Sequence, residues 1–285
     1  MLFGLGAAFG FGMADLFGAI STRRVGVPMT LFVIQLVDVV LLALLLLTPL
    51  PGTLSANGAA RVAILAAGIL GTVSFFSFYR ALQLGPVAVV SPVFATYAAI
   101  AVLLSVLLHG ERLSVMASTG VALTIAGVAL ASARDAADAA GVRSWGGIPF
   151  ALVATFAWGV ASYLVGRYAQ QTGWFVPVFG QRLVEFVLVG GVVLVLRARG
   201  GTLVAPRGRT VTFPAVSAVS DAVAVSLFAR GSEVGLVSVA SAVSATFPLV
   251  VIAGGLILFH ERPTPRQWLG VLAAITGLIL LGLGR

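Results

Sequence analysis

Apolar runs of about 20 residues follow one another along almost the whole chain, with only short loops between them. Each run matches a helix that crosses the hydrocarbon core of a bilayer, where irregular backbone cannot satisfy its hydrogen bonds. Only 9% of the 285 residues are charged, against about 25% in soluble domains. We therefore predict an all-α integral membrane protein with ten transmembrane spans, at 2–20, 29–49, 62–83, 87–108, 115–132, 147–167, 174–196, 212–232, 236–259 and 267–284.

The composition excludes several classes of site. The first span lacks a basic leader and a small-residue cleavage motif, so we expect it to be retained as a helix. The chain has neither Cys nor Lys, which excludes thiolate metal ligands and a phosphate-binding P-loop lysine. The net charge of +8 comes from Arg residues scattered through short loops, a pattern typical of membrane orientation. We expect no metal, no cofactor and no nucleic-acid partner.

Two parts of the chain repeat each other. Residues 78–130 align without a gap to 228–280, with 17 identities in 53 positions. A weaker match at a spacing of 147 residues pairs Asp38 with Glu185. We predict a first five-helix repeat at 1–132, a connecting loop at 133–146 and a second five-helix repeat at 147–285.

The odd number of spans in each repeat determines how the repeats are related. If the first repeat enters the membrane from one side, the second must enter from the other, so the two are predicted to be inverted. Many secondary transporters have this plan, with the solute site near the membrane midplane between the repeats. We therefore expect a central cavity and transport by alternating access.

Motifs at matching turns of the two repeats resemble a known family. The first repeat carries Pro92 and the turn HGERLS at 109–114, and the second carries Pro248 and HERPTP at 260–265. These features resemble the EamA-type repeat, and the whole chain is similar to ten-helix members of the drug/metabolite transporter superfamily, including bacterial exporters of amino acids and metabolites. The resemblance implies a multi-pass protein of the inner (plasma) membrane that is not an enzyme. It also implies a cavity lined by spans 1, 3, 4, 6, 8 and 9.

The prolines of the two repeats do not coincide. Pro248 aligns with Ala98, where repeats of this family often carry proline. We therefore expect span 4 to be broken around Pro86 and Pro92 instead, so that the two repeats differ at this point.

The duplicated Glu–Arg pairs have two interpretations. Glu111 and Glu261 each stand beside a turn at the start of a helix, where a carboxylate interacts favourably with free N–H groups. Arg112 and Arg262 can lie in the headgroup layer. This structural role is our main interpretation, and the alternative is a gate that locks one face of the protein.

Charged residues inside the spans cost about 2.5–3.5 kcal/mol each at a helix centre and are therefore functional candidates. Arg182 and Glu185 are three residues apart on one helix face and are expected to pair. Since Asp38 is the repeat partner of Glu185, one interpretation is a structural polar contact in each half. The other is a role in binding the solute or a proton.

Asp221 has no basic residue within two helical turns, and we expect its carboxyl to be unpaired. It is our first candidate for proton coupling and for binding the ammonium group of a solute, against the alternative of a buried structural Asp. Asp15 is a weaker candidate of the same kind, since it can instead pair near Arg23 and Arg24.

Aromatic residues in the middle of several spans are candidates for the cavity wall. In span 3 they recur at helical spacings of three and four residues. Membrane aromatics also pack against lipid or other helices, so this role is a hypothesis for each of them. The candidates are Phe75, Phe78, Tyr79, Tyr97 and Trp158.

We therefore predict a secondary exporter of small metabolites, amino acids including aromatic ones among them, driven by protons or by the solute gradient and functioning as a monomer. The alternatives are a multidrug or cation exporter, an intramembrane enzyme that pairs Asp15 with Asp221, and a scaffold subunit. The Arg residues favour loops after odd-numbered spans, which predicts external termini, whereas the resemblance implies cytoplasmic ones.

Overall fold

The computed structural model of the chain describes residues 1–48, 56–84, 87–131, 144–201, 203–259 and 264–283. In this part of the chain twelve α-helices form and no β-strand does. They are α1 (Leu2–Val25), α2 (Val27–Leu45), α3 (Gly58–Leu84), α4 (Val87–Ala95), α5 (Tyr97–His109), α6 (Val115–Ala131), α7 (Ile148–Thr172), α8 (Phe175–Ala198), α9 (Thr212–Glu233), α10 (Val237–Ser244), α11 (Phe247–Phe259) and α12 (Pro265–Leu283).

The surface of this bundle suits lipid rather than water. Large apolar side chains point outward, including Leu107, Leu194 and Leu269, which are 68%, 69% and 62% exposed. Six helices, namely α1, α2, α3, α7, α8 and α9, are long and apolar enough to cross a membrane, and the remaining spans contain shorter apolar helices. The chain is therefore a multi-pass membrane protein, and its helices fit the ten predicted spans if α4 with α5, and α10 with α11, each form one broken span.

The two breaks lie at the same position of the repeat. The first separates α4 from α5 at Thr96, and the second separates α10 from α11 at Thr246 and the residue before it. At each break the Thr hydroxyl donates a hydrogen bond to the carbonyl three residues earlier, at 2.6 Å to Val93 and 2.8 Å to Val243. A hydroxyl bonded in this way competes with the helical hydrogen-bond pattern.

The predicted difference between the two repeats is therefore wrong at this point. Helix α4 continues through Pro92, and the break follows at Thr96, four residues later. In the second repeat Pro248 lies in the first turn of α11, a position that tolerates proline because the N–H group there has no helical partner. Pro86 lies outside the described residues.

Helices of one half pack mainly against helices of the other. Helix α1 packs along α9, where the Ser217 hydroxyl donates to the Ala14 carbonyl at 2.8 Å, and α3 packs along α7. The last helices of the two halves, α6 and α12, run antiparallel: Gly120 lies against Gly277, and Gly127 lies against Gly270. The two halves of the chain are thus interleaved around a shared centre.

Gly127 allows α6 and α12 to approach each other closely. A Cβ atom there would lie 2.8 Å from both the Ala274 Cα and the Gly270 carbonyl oxygen. We expect Gly127→Ala to destabilise the protein by about 1–3 kcal/mol, since backbone atoms must move apart. At Gly191 an added Cβ meets no atom within 4 Å, so Gly191→Ala is the matched control. Thermal unfolding in one detergent tests the pair, and equal midpoints would contradict the close approach.

Candidate functional site

An aromatic cavity lies where the interleaved helices meet. Its wall includes stacked rings of Phe78 and Phe94, with centroids 4.3 Å apart, and Trp158 tilted against Phe75 at 5.3 Å. The described residues that line the cavity are Phe11, Ala14, Asp15, Phe75, Phe78, Tyr79, Phe94, Tyr97, Trp158, Asp221 and Phe247. All seven substrate-binding candidates chosen from the sequence are brought together here.

The broken spans supply part of this wall. Tyr97 is the first residue of α5, and its repeat partner Phe247 is the first residue of α11. The Tyr97 hydroxyl and the Ser244 hydroxyl are hydrogen bonded at 2.9 Å, which joins the two broken spans at the centre. The breaks therefore direct one aromatic ring from each half into the cavity.

The cavity is narrow in this conformation. The space open to the centres of water molecules has a volume of about 20 Å³. A site of this size holds about one water molecule. A solute as large as an amino acid therefore requires the helices around the cavity to move apart.

Asp15 is one of the two carboxylates among the described residues of the wall. Its side chain is buried, and the Ser91 hydroxyl on α4 lies 3.4 Å from one carboxylate oxygen. The predicted alternative of pairing with Arg23 or Arg24 is wrong for the described chain, because both lie exposed at the end of α1 and Arg24 stacks on the ring of Phe213, 4.4 Å from its centroid. Asp15 therefore faces the cavity from α1.

Asp221, the other carboxylate in the wall, is paired, and the prediction of an unpaired carboxyl is wrong. Its Oδ2 lies 2.7 Å from Nη2 of Arg182, which reaches across from α8. The spacing of the two residues along the sequence concealed this contact, since they lie on different helices. The same Arg182 contacts Glu185 at 2.7 Å through Nη1 and Asp38 at 3.4 Å through Nε.

We call Asp38, Arg182, Glu185 and Asp221 the charged cluster. All four residues are buried, and the Arg182 guanidinium also lies over the Phe75 ring, 5.2 Å from its centroid. The predicted pairing of Arg182 with Glu185 is confirmed by the geometry. The expectation of a separate polar contact within the first half is wrong, because Asp38 of the first half contacts Arg182 of the second.

The cavity and the charged cluster are adjacent and share one residue. Asp221 lines the cavity and contacts Arg182, whereas Asp38, Arg182 and Glu185 are not among the described lining residues. A charge placed in the cavity therefore acts on the cluster through Asp221.

Glu111 caps a helix, but not the helix that we predicted. Its two carboxylate oxygens accept hydrogen bonds from the backbone N–H groups of Val237, at 2.8 Å, and Ser238, at 3.1 Å. These are the first residues of α10 in the other half, whereas the start of α6 is capped by the hydroxyl of Ser114, bonded to the Ala117 N–H. These hydrogen bonds thus join the turn after α5, in the first half, to the start of α10 in the second half. Arg112 is exposed beside it.

The same end of the molecule carries a second link between the halves. The Nε2 atom of His109 lies 3.1 Å from the side-chain oxygen of Gln170, and the Gln170 amide donates to the Gly235 carbonyl at 2.9 Å. Glu261 and Arg262, the corresponding pair of the second repeat, lie outside the described residues.

Removing the Glu111 carboxylate should loosen the start of α10. Hydrogen bonds to charged groups contribute about 1.5–3 kcal/mol each, and 1.4 kcal/mol is a factor of ten. We expect Glu111→Ala to speed amide hydrogen exchange in the peptide covering α10 at least about tenfold, as measured by mass spectrometry. Arg112→Ala on the same turn is the control, and unchanged exchange in Glu111→Ala would show that the cap is dispensable.

The sequence analysis did not select three aromatic residues of the lining, although the repeat contained a signal for two of them. Phe11 and Trp158 are equivalent at the 147-residue spacing, and Phe247 is equivalent to Tyr97 at the 150-residue spacing. Adding the repeat-equivalent residue of each aromatic candidate would therefore have identified these two further residues of the lining. Phe94 aligns with Ser244, so the repeat provides no aromatic signal for it.

Comparisons with known proteins agree with this architecture. No significant match is found among curated proteins. A solved structure described only as "Crystal structure of protein" is similar, with a TM-score of 0.77 and 20% identity, covering 99% of this chain and 96% of the other. At this identity the likeness shows a shared fold. Residues 1–133 and 145–283 both match the sequence model of the EamA-like transporter family. The chain therefore belongs to the EamA-like transporter family, and it is a membrane transporter of small solutes and not an enzyme.

Proposed function

We propose that the chain is a secondary-active exporter of small metabolites that carry an amino group on an aromatic or apolar body, amino acids among them. The observation that carries this proposal is the lining of the cavity, in which the described residues include eight aromatic rings together with the carboxylates of Asp15 and Asp221. A carboxylate binds an ammonium group through charge-assisted hydrogen bonds. The aromatic faces attract the same cation and pack against an apolar body.

The charge of the lining favours amines and organic cations as a second class of solute. No cationic side chain is among the described lining residues, and the guanidinium of Arg182 is already engaged by three carboxylates. A solute carboxylate would therefore lose its water without gaining a partner, which is costly in a buried site. Cation efflux is thus the specific alternative to amino-acid export.

We propose alternating access between two inverted repeats as the mechanism of transport. The antiparallel packing of α6 along α12 and the matching breaks at Thr96 and Thr246 support this plan. In such transporters discontinuous helices meet at a solute site near the midplane. We divide the chain into repeats at 1–132 and 147–285 joined by 133–146, and we propose a monomer in the inner membrane as the transporting unit.

A proton gradient is the proposed source of energy. Asp221 is the candidate coupling group, because it both lines the cavity and contacts the charged cluster. A cationic solute and a proton would compete for the same carboxylate, so that one is released when the other binds.

The experiment is flux across liposomes that contain the purified protein, with and without an imposed pH gradient. The labelled panel pairs each aromatic amino acid with the amine that lacks its carboxylate: tryptophan with tryptamine, and phenylalanine with phenylethylamine. Leucine and isopentylamine form the aliphatic pair. Saturable flux that rises with the gradient supports the proposal, and preference within each pair decides between amino acids and amines. Flux no greater than in empty liposomes for the whole panel would contradict it.

A further inference from the structure

The cluster contains more negative than positive charges. Three carboxylates, on Asp38, Glu185 and Asp221, surround the single guanidinium of Arg182, so full ionisation would leave a net charge of −2. The side chains of Arg182, Glu185 and Asp38 are 0% exposed. An uncompensated buried carboxylate costs several kcal/mol, and such a group is neutralised by binding a proton instead.

Hydrogen bonding distinguishes the three carboxylates. Glu185 has a donor for each oxygen, with Gln181 Nε2 at 2.8 Å and Arg182 Nη1 at 2.7 Å, as an ionised carboxylate requires. Within the described chain, neither oxygen of Asp38 has a hydrogen-bond partner, and its contact with Arg182 is long, at 3.4 Å. Asp38 is therefore the carboxyl that is least well stabilised as an anion.

Asp221 supplies the acceptor that a protonated Asp38 needs. Both carboxyls contact the same guanidinium, Asp38 through Nε and Asp221 through Nη2, and Oδ2 of Asp221 has no aligned hydrogen-bond donor despite its 2.7 Å contact. A proton on Asp38 would donate a hydrogen bond to Asp221, which gives both groups a partner.

The other groups that face this pair do not supply the missing positive charge. Asp15 on α1 adds a further carboxylate, and Tyr79 on α3 contributes a neutral phenol. In the described chain no second cation forms an ion pair with the cluster.

We propose that the charged cluster is a proton-binding site, in which Asp38 and Asp221 share one proton at neutral pH while Glu185 and Arg182 stay charged. This proton changes the net charge of the cluster from −2 to −1. The repeat adds no second such site, because Asp221 corresponds to Gly71 and Arg182 to Gln35. That the shared proton is the one exchanged in transport rests on the proposed function, but its presence in the resting protein does not.

Infrared spectroscopy of the purified protein in liposomes at pH 7 tests the site without any solute. A protonated carboxyl has a C=O stretch that is separate from the carboxylate bands and moves when H₂O is replaced by D₂O. We expect the wild type to show this band, and we expect Asp38→Asn and Asp221→Asn each to remove the part that comes from the cluster. Glu233→Gln, at a partly exposed carboxylate at the end of α9, is the matched control and should leave the band unchanged.

Two results would overturn the proposal. One is a wild-type spectrum without protonated carboxyl intensity at pH 7, which needs no variant and so does not depend on how the variants fold. The other is a band that survives in both Asp38→Asn and Asp221→Asn and disappears only in Asp15→Asn, which would place the proton on α1. The flux measured in liposomes does not depend on either infrared result. A failure of this proposal is therefore distinguishable from a failure of the proposed function.

Discussion

Arg182→Gln is expected to destabilise the folded protein by about 3–5 kcal/mol, the usual effect of removing one partner from a buried ion pair. The guanidinium is the shared contact of Asp38, Glu185 and Asp221, and no other cation in the described chain reaches them. Without it, three buried carboxyls are left with no cation. We expect a much lower thermal unfolding midpoint and loss of monodisperse protein in detergent.

Arg80→Gln is the matched control for this prediction. Arg80 is exposed on α3 and bonds only to the nearby Gln83 in the described chain, so the same change of residue type should shift the midpoint little. A double variant, Arg182→Gln with Asp221→Asn, removes one of the stranded carboxylates and should recover part of the loss. Equal midpoints for Arg182→Gln and Arg80→Gln would show that the cluster does not hold the helices together.

Asp221→Asn is expected to reduce solute flux by about ten- to a hundredfold while the protein remains folded. The carboxylate contributes a charged hydrogen bond to an ammonium group, worth about 1.5–3 kcal/mol, and an amide of nearly the same shape cannot replace it. Folding is preserved because Arg182 keeps both Asp38 and Glu185 as partners. The measurement is initial flux of the best solute of the liposome panel, with and without a pH gradient.

The response to the gradient separates two roles of Asp221. If the residue exchanges protons with the solute, the residual flux of Asp221→Asn should no longer rise when a pH gradient is imposed. Glu233→Gln on the same helix should keep both the flux and the response. If Asp221→Asn keeps the wild-type flux, Asp221 does not bind the solute, and Asp15 is then the carboxylate that does.

The number and order of the spans could be predicted from the sequence because they depend on length and apolar character alone. The position of the breaks could not be predicted from the spacing of the prolines. The first break lies at Thr96, whose hydroxyl donates a hydrogen bond to the Val93 carbonyl. The partners of Asp221 could not be predicted either. Arg182 precedes it by 39 residues and lies on another helix, so only the packing of α8 against α9 brings them together.

Glu111 shows a different limit of prediction from sequence. The nature of its partner was predicted correctly, since a carboxylate beside a turn stabilises a helix N-terminus. Which N-terminus it reaches depends on how the two halves interleave, and the bonded residues Val237 and Ser238 lie more than 120 positions away. A pattern within the sequence identifies the chemical group, whereas tertiary structure selects the helix.

The charged cluster also makes the centre of the protein asymmetric, although the two halves repeat each other in sequence. Positions 182 and 221 carry Arg and Asp in the second half, whereas the equivalent positions 35 and 71 of the first half carry Gln and Gly. The mirror position, Gly71, lies against Glu185 and Gln181, with the Gln181 amide nitrogen 2.9 Å from where a Cβ would stand. A side chain at 71 would displace the ends of Gln181 and Glu185, so this glycine of the first half leaves room for polar groups of the second half.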